Sequence, residues 1–336
     1  MGGGGGRDGA GLDPLGGLRG GRVVRGLVVL PLGDARGWGV CCWQRAAEYR
    51  WNTMSEDFEG FVYINIDKPV VAWNVMRSKF YSPSCLPQSE QPGALSFGMA
   101  DLLRNGNEAR ASAEFRLEDF RRRYFPAAVS RLTGVFVFDS VDSAAQVWDN
   151  DAWDGHFNEQ FLTDVGISAD QSSRVDSTWI TMMRNDQNIL VEGWEAMAKR
   201  YWSGEAACDQ PTWERIIEGW VTIWGLDLKT RAMEEIQNYW PTSLPLLAVA
   251  ANSATIGSCD GAVVPYARRE GSVLDVGYYL RMVDAKDPNF CERLGEFMRT
   301  GGERVCYLGP VGDPFTVPDF SCYSFKRKIE GSNLIL

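Results

Sequence analysis

The feature that most limits how this chain can fold is the concentration of glycine in its first 53 residues, which hold 15 of the 36 glycines. Glycine loses more conformational entropy on ordering than any other residue, so glycine runs disfavour helices and strands. The net charge is −10 for the whole chain and +3 for this segment, which leaves −13 for the remainder. We therefore predict a disordered glycine- and arginine-rich extension over residues 1–53 and a folded protein that starts near Met54.

The composition of the whole chain excludes some classes of function. Hydrophobic residues make up 45% and aromatic residues 12%, so the chain can bury a substantial core. A net charge of −10 repels a phosphate backbone and argues against sequence-independent nucleic-acid binding. No uninterrupted apolar run reaches the roughly 18 to 20 residues of a membrane-spanning helix. We expect a soluble, cytoplasmic protein with no membrane association.

The cysteine and histidine content does not contain a familiar metal-binding pattern. The chain has eight cysteines but no Cys-x-x-Cys pair, and its only histidine is His156, within a polar stretch. Structural zinc normally uses closely paired cysteine or histidine ligands. We therefore expect no metal, buried cysteine thiols and a surface position for His156.

Several segments have the apolar spacing of amphipathic helices. In one of them, Ala113, Leu117, Phe120 and Tyr124 lie on one face until Pro126 ends the helix. A second helix places Leu190, Trp194, Met197 and Tyr201 on one face and ends at Ser203-Gly204. Two more helices are predicted, from Leu226 to Asn238 and from Pro288 to the glycine pair at 301–302.

Other segments favour strands because β-branched and aromatic residues dominate them. Residues 149–174, by contrast, are polar without a period and predict a long surface excursion. Strands and helices follow one another without regular alternation, which indicates an α+β fold. The predicted strands run from Phe61 to Asp67, Val70 to Met76, Leu132 to Phe138, Thr178 to Met183 and Trp213 to Trp224.

The common phosphate-binding and hydrolase motifs are missing. The sequence contains no Gly-x-Gly-x-x-Gly after a predicted strand and no Gly-x-x-x-x-Gly-Lys-Ser/Thr loop, and it lacks His-Glu-x-x-His and Gly-x-Ser-x-Gly. A single histidine also limits catalytic triads. If the chain is an enzyme, a carboxylate, an arginine or a bound cofactor must carry most of the chemistry.

An ordered series of segments provides a family resemblance. Residues 115–132 (FRLEDFRRRYFPAAVSRL) run into 135–140 (VFVFDS), and 201–204 (YWSG) precede 211–219 (PTWERIIEG). This order resembles a group of ADP-ribosyltransferase-like proteins of bacteria and phages, some of which are known only as domains of unknown function. The resemblance covers about residues 60–225. It implies a split, mixed β-sheet core that binds NAD in a cleft and breaks the bond between nicotinamide and ribose.

The resemblance also implies roles for individual residues. The catalytic carboxylate of such enzymes lies on a late strand of the core, and Glu214 occupies the matching position. Arg77 is the candidate for holding the pyrophosphate, because a guanidinium binds phosphates bidentately. Ser130 and Arg131 are expected to line the cleft and hold the dinucleotide. Either Tyr201 or Trp202 is expected to stack on nicotinamide.

One departure from the family pattern bears on the type of acceptor. Position 212, two residues before Glu214, is threonine, so the Glu-x-Glu pair is missing and arginine-directed modification is in doubt. Each candidate also has a structural alternative: an exposed strand carboxylate for Glu214, a surface charge for Arg77, an ion pair for Arg131 and a core position for Tyr201.

These observations predict a domain organisation and three functions. Residues 54–225 form the ADP-ribosyltransferase-like core, and 226–336 form an appended C-terminal α+β subdomain that would recognise a target. The first function is transfer of ADP-ribose from NAD to an unidentified macromolecule, protein rather than nucleic acid. The second is a non-catalytic interaction protein on the same scaffold. The third, suggested by 13 tryptophans in an acidic chain, is carbohydrate binding or glycoside hydrolysis.

Overall fold

The computed structural model describes residues 55–149, 159–300, 305 and 316–332. The glycine-rich extension and His156 lie outside the described residues, so the expectations for them stay predictions. Two antiparallel β-sheets and nine α-helices make up the described part, which confirms the α+β class. None of those helices has the length and apolar character that crossing a membrane requires.

The larger sheet is built around one long central strand. Strand β5 pairs with β4 along one edge, and the short strands β2 and β3 share its other edge at different heights. We expected a mixed sheet, but every pairing among the described strands is antiparallel, a property of the connections that strand composition does not reveal. The five strands are β1 (Glu56–Tyr63), β2 (Lys79–Tyr81), β3 (Val135–Val137), β4 (Leu162–Asp176) and β5 (Trp213–Ile223).

The second sheet has three antiparallel strands in the order β6-β7-β8 and lies in the C-terminal part of the chain. A β-bridge between Ala94 and Tyr266 connects this sheet to the N-terminal part of the chain. Its strands are β6 (Val263–Glu270), β7 (Val273–Leu280) and β8 (Phe325–Lys328).

The helices cover both faces of the larger sheet. Ile216 and Ile217 are adjacent on β5, yet each belongs to a different hydrophobic cluster, because successive strand residues point to opposite faces. The helices are α1 (Pro69–Met76), α2 (Phe97–Asn105), α3 (Glu108–Tyr124), α4 (Val141–Asp149), α5 (Thr178–Met182), α6 (Trp194–Trp202), α7 (Leu226–Tyr239), α8 (Leu244–Thr255) and α9 (Pro288–Thr300).

The strongly periodic segments were predicted correctly. Helix α3 ends just before Pro126 as expected, and it begins at an Asn107 cap whose side chain accepts a hydrogen bond from the Arg110 amide at 2.8 Å. Three arginines in its last turn compensate the partial negative charge of the helix end. Helices α7 and α9 and strand β5 likewise confirm the predictions made for those regions. Helix α6 does so from Trp194 onwards, whereas Leu190, predicted on its face, lies before the helix in a β-bridge with Arg184.

Three segments differ from the prediction. The stretch from Val70 to Met76 belongs to helix α1 and is not a strand. All residues of this helix are buried, so its sequence lacks the alternation of apolar and polar residues that would distinguish a helix from a strand. Residues 178–182 form helix α5 rather than a strand. The predicted surface excursion over residues 149–174 contains most of β4, and pairing with β1 and β5 stabilises its polar residues as a strand.

Residues before and after position 225 share a hydrophobic cluster. Trp73 and Val221 belong to it, and so do Ile236, Leu247 and Val263 from the C-terminal part. The predicted boundary at 225 therefore lies within a region where both sides contribute to the same core. The boundary itself stays a prediction.

Candidate functional site

Three of the residues singled out in the sequence meet in one buried cluster. Arg131 precedes β3, Tyr201 lies on α6 and Glu214 lies near the start of β5. One guanidinium nitrogen of Arg131, Nη1, donates to Glu214 Oε1 at 3.0 Å and to Tyr201 Oη at 2.7 Å. The Tyr201 hydroxyl donates in turn to Glu214 Oε1 at 3.2 Å. At most 2% of each of the three residues is exposed to solvent.

A second carboxylate, on helix α3, completes the cluster. Glu114 accepts from Arg131 Nε at 2.9 Å, and its Oε1 lies 3.3 Å from Nη2 of Arg110. Arg110 and Glu114 are four residues apart on a helix, a spacing that places both on one face. Two guanidiniums and two carboxylates thus balance one another in the interior, as burying charge requires.

The two carboxylates differ in the direction of their pKa shifts. Burial alone would raise the pKa of Glu114, but the guanidiniums of Arg131 and Arg110 outweigh burial and hold it below the ordinary value. For Glu214, burial raises the pKa by more than Arg131 and the Tyr201 hydroxyl lower it. Compared with an ordinary glutamate, the ionised form is therefore stabilised at Glu114 and destabilised at Glu214.

Glu214 also forms part of the wall of a cavity of about 160 Å³. The cavity lies between the end of β1, the start of α2 and the edge of β5 that β2 and β3 share. Polar groups reach its wall from Asn65, Lys68, Ser96 and Asp101. Seven of its 19 lining residues are aromatic: Tyr63, Phe80, Tyr81, Phe97, Phe136, Phe138 and Phe161.

The two oxygens of Glu214 have different surroundings. Oε1 accepts the hydrogen bonds from Arg131 and Tyr201, while Oε2 accepts none from the described residues. A carboxylate oxygen has two lone pairs and is strongly solvated when it is ionised. Glu214 is one of the residues of the cavity wall, and Oε2 is the oxygen of its carboxylate that accepts no hydrogen bond from the described residues.

Arg77 does not join this site. It is fully buried at the C-terminal end of α1, where its Nε and Nη2 donate to the backbone carbonyls of Asp260 and Ser258 at 3.1 and 2.5 Å. The expectation that it ends a strand is wrong, because the preceding segment is helical. Arg77 does not appear among the residues of the described cavity wall, and its guanidinium contacts the C-terminal part of the chain.

Ser130 and Trp202 are also buried away from the described cavity wall. The Ser130 hydroxyl accepts a hydrogen bond from the Leu132 amide at 3.1 Å and so stabilises the turn before β3. Trp202 packs edge-on against Tyr201, with ring centroids 4.7 Å apart, inside the cluster beneath α6. Both residues therefore support the position of Arg131 and Tyr201 rather than contacting the cavity.

Sequence reasoning missed several residues that the fold places at the site. The sequence contained an indication for Glu114, because this acidic residue stands between Ala113 and Phe115, and all three are buried in the helix. Lys68 and Asp101 had none, because they come from two elements far apart in the sequence. No tryptophan occurs in the wall formed by the described residues, and Trp73, Trp179 and Trp194 are buried in hydrophobic clusters.

Residues 91–238 match the family described as "Protein of unknown function (DUF2441)". The matched stretch contains all four charged residues of the cluster and Tyr201, whereas Lys68 lies before it. This likeness agrees with the part of the expectation that concerned domains of unknown function, and it names no ADP-ribosyltransferase family. The comparison with curated proteins gave no match to the chain.

Proposed function

We propose that this protein cleaves NAD and transfers its ADP-ribose to a macromolecular acceptor, with Glu214 as the residue that stabilises the transition state. One observation carries the proposal: Glu214 belongs to the wall of the cavity, one of its oxygens is held by Arg131 and Tyr201, and the other accepts no hydrogen bond from the part of the chain that the structure describes. The resemblance of residues 60–225 to ADP-ribosyltransferase-like proteins supports this choice of reaction, and the fixed orientation of the Glu214 carboxylate supports the choice of residue.

The chemistry requires a fixed negative charge near the ribose. As the bond between nicotinamide and ribose lengthens, positive charge develops on the sugar, and a carboxylate that accepts a hydrogen bond from a ribose hydroxyl stabilises that state more than the ground state. Arg131 and Tyr201 hold Glu214 in one orientation before substrate binds. In this proposal they position the carboxylate, whereas the sequence alone favoured direct contacts with the dinucleotide.

The cavity suits one end of the substrate. An apolar cavity of about 150 Å³ holds a benzene ring, so a volume of about 160 Å³ matches a single ring such as nicotinamide. Aromatic side chains favour offset or edge-on contact with such a ring. The remainder of the dinucleotide would lie outside the cavity. We propose a protein as acceptor, because the chain is acidic and would repel nucleic acid.

Nicotinamide release from NAD, measured by chromatography, tests this function. Glu214→Gln keeps the size of the side chain and removes its charge, and we expect release to fall about 100-fold or more, in line with the loss of one transition-state contact. Glu218→Gln is the matched control. Glu218 lies on the same strand, burial raises its pKa as well, and it is not part of the described cavity wall. Its variant should release nicotinamide within twofold of the wild-type rate.

The other outcomes separate the alternatives. Equal release by the wild type and by Glu214→Gln would remove Glu214 from the mechanism. A thermal shift with NAD but no release by any variant would favour the non-catalytic interaction protein. Absence of both would refute the proposal. Circular dichroism of each variant checks that loss of release does not come from loss of the fold.

A further inference from the structure

Lys68 is a second chemical group on the wall of the same cavity that the proposed function does not use. It immediately precedes α1, and about a quarter of its side chain, 23%, is exposed. Its amine forms an ion pair with Asp101, which reaches the cavity from helix α2. An amine and a carboxylate thus lie in contact beside an aromatic wall.

The surroundings of Lys68 make its amine a better nucleophile than a surface lysine. Burial, together with the nearby charge of Arg104, lowers the pKa of Lys68 to about 8. A lowered pKa increases the neutral fraction of the amine at pH 8, while the Asp101 carboxylate in contact with it acts in the opposite direction. Neutral amines attack carbonyl carbons, and buried lysines of lowered pKa act in this way in enzymes.

Two other lysines make it possible to distinguish the effect of a lowered amine pKa from the effect of a position in the cavity wall. Burial also lowers the pKa of Lys79 and of Lys229. Neither belongs to the cavity wall formed by the described residues, and the Lys79 amine lies over the Trp220 ring at 5.5 Å. A reaction that needs the cavity should select Lys68, whereas one that needs only a neutral amine should modify all three.

We propose that Lys68 and Asp101 form a covalent binding site for small aromatic aldehydes. The neutral amine of Lys68 adds to the carbonyl carbon, and the resulting carbinolamine loses its hydroxyl group as water to give an imine. Asp101 takes the proton that leaves the nitrogen and returns it to the departing hydroxyl. One carbon–nitrogen double bond replaces the carbon–oxygen double bond, one water is released, and no oxidant or reductant takes part.

The cavity defines the class of aldehyde. Its volume of about 160 Å³ admits one aromatic ring, and its wall offers the rings of Tyr63, Phe97 and Phe136 for contact. The inference stands without the proposed NAD chemistry, because neither the amine nor its carboxylate partner takes part in the action of Glu214.

Reductive labelling with benzaldehyde and cyanoborohydride at pH 8 tests the site, with peptide mass spectrometry to measure the adduct on each lysine. We expect Lys68 to be labelled at least tenfold faster than Lys79 or Lys229. Formaldehyde, which needs no cavity, should label the three with a spread of less than threefold. An aldehyde of four fused rings exceeds the cavity, and it should lose the preference for Lys68.

Two variants complete the test. Lys68→Arg should remove the fast site and leave the labelling of Lys79 unchanged, which also shows that the variant is folded. Glu214→Gln should keep the preference for Lys68, so that failure of the NAD proposal and failure of this one give different results. Labelling of Lys68 by benzaldehyde no faster than that of Lys79 would overturn the inference.

Discussion

Removing the charge of Glu114 should lower the free energy of unfolding much more than removing the charge of Glu214. Glu114 is 3% exposed and contacts two guanidiniums, through Arg131 Nε at 2.9 Å and Arg110 Nη2 at 3.3 Å. Glu114→Gln removes the negative charge that both cations contact. Breaking a buried ion pair by removing one partner costs about 3 to 5 kcal/mol, which is a large part of a typical net stability of about 5 to 15 kcal/mol.

Glu214→Gln should cost much less. The amide oxygen of glutamine can still accept from Arg131 and Tyr201, and the position of Oε2 has no partner to lose among the described residues. Because the pKa of Glu214 is raised, the ionised carboxylate is less favourable in the folded protein than in the unfolded chain. We expect a cost of about 1 kcal/mol or less, since a neutral acceptor replaces a charged one at both hydrogen bonds.

Equilibrium unfolding in urea at pH 7, followed by tryptophan fluorescence, measures both variants on the same scale. The chain has 13 tryptophans, so the signal is adequate. The expected difference of about 2 kcal/mol or more corresponds to roughly 30-fold in the folding equilibrium. The slopes with urea should agree among the three proteins. A Glu214→Gln protein as destabilised as Glu114→Gln would refute the reasoning, because the charge of Glu214 would then stabilise the network as much as the charge of Glu114 does.

Three further predictions follow from the same geometry. The stability advantage of the wild type over Glu114→Gln should be full at pH 7, which is above the ordinary glutamate pKa of about 4.3. It should be lost progressively as the pH falls through the lowered pKa of the folded protein, and pH-dependent urea unfolding measures it. Tyr201→Phe removes a hydrogen bond that lowers the pKa of Glu214, so nicotinamide release should require higher pH, and a pH profile identical to the wild type would contradict this. Gly219→Ala should lower the unfolding free energy by about 3 kcal/mol or more, because at φ +142° an added Cβ would lie 2.0 Å from a backbone oxygen of β4. Gly193→Ala, where φ is +77° and the space is open, should lower it by only about 1 kcal/mol. Equal urea midpoints for the two variants would contradict this prediction.

Elements with a clear apolar period could be predicted from the sequence, and the others could not. Helices α3 and α7 each bury one face and expose another, so their spacing identifies them. Helix α1 is buried all round, and its valines and tryptophan favour a strand when read alone. Strand β4 is polar along much of its length and depends on its two neighbours, which pairing across distant sequence provides.

The site could be predicted only in part, because its residues come together through contacts between distant parts of the sequence. The resemblance placed Arg131, Tyr201 and Glu214 among the candidates, and the fold brings these three into contact over sequence separations of 70 and 83 residues. It gave no information on which atoms contact one another, so the contact between Arg131 and Glu214 was missed. Arg77 looked like a strand end because α1 was misassigned. Lys68 and Asp101 become neighbours only when the start of α1 meets α2.

The measurement that tests the central claim most directly is the separate determination of kcat and KM for nicotinamide release by the wild type and by Glu214→Gln. The Glu214 carboxylate should act on the developing charge of the ribose and not on ground-state binding. We therefore predict a fall of about 100-fold or more in kcat, with KM for NAD within about threefold. An unchanged kcat, or a loss confined to KM, would contradict this account.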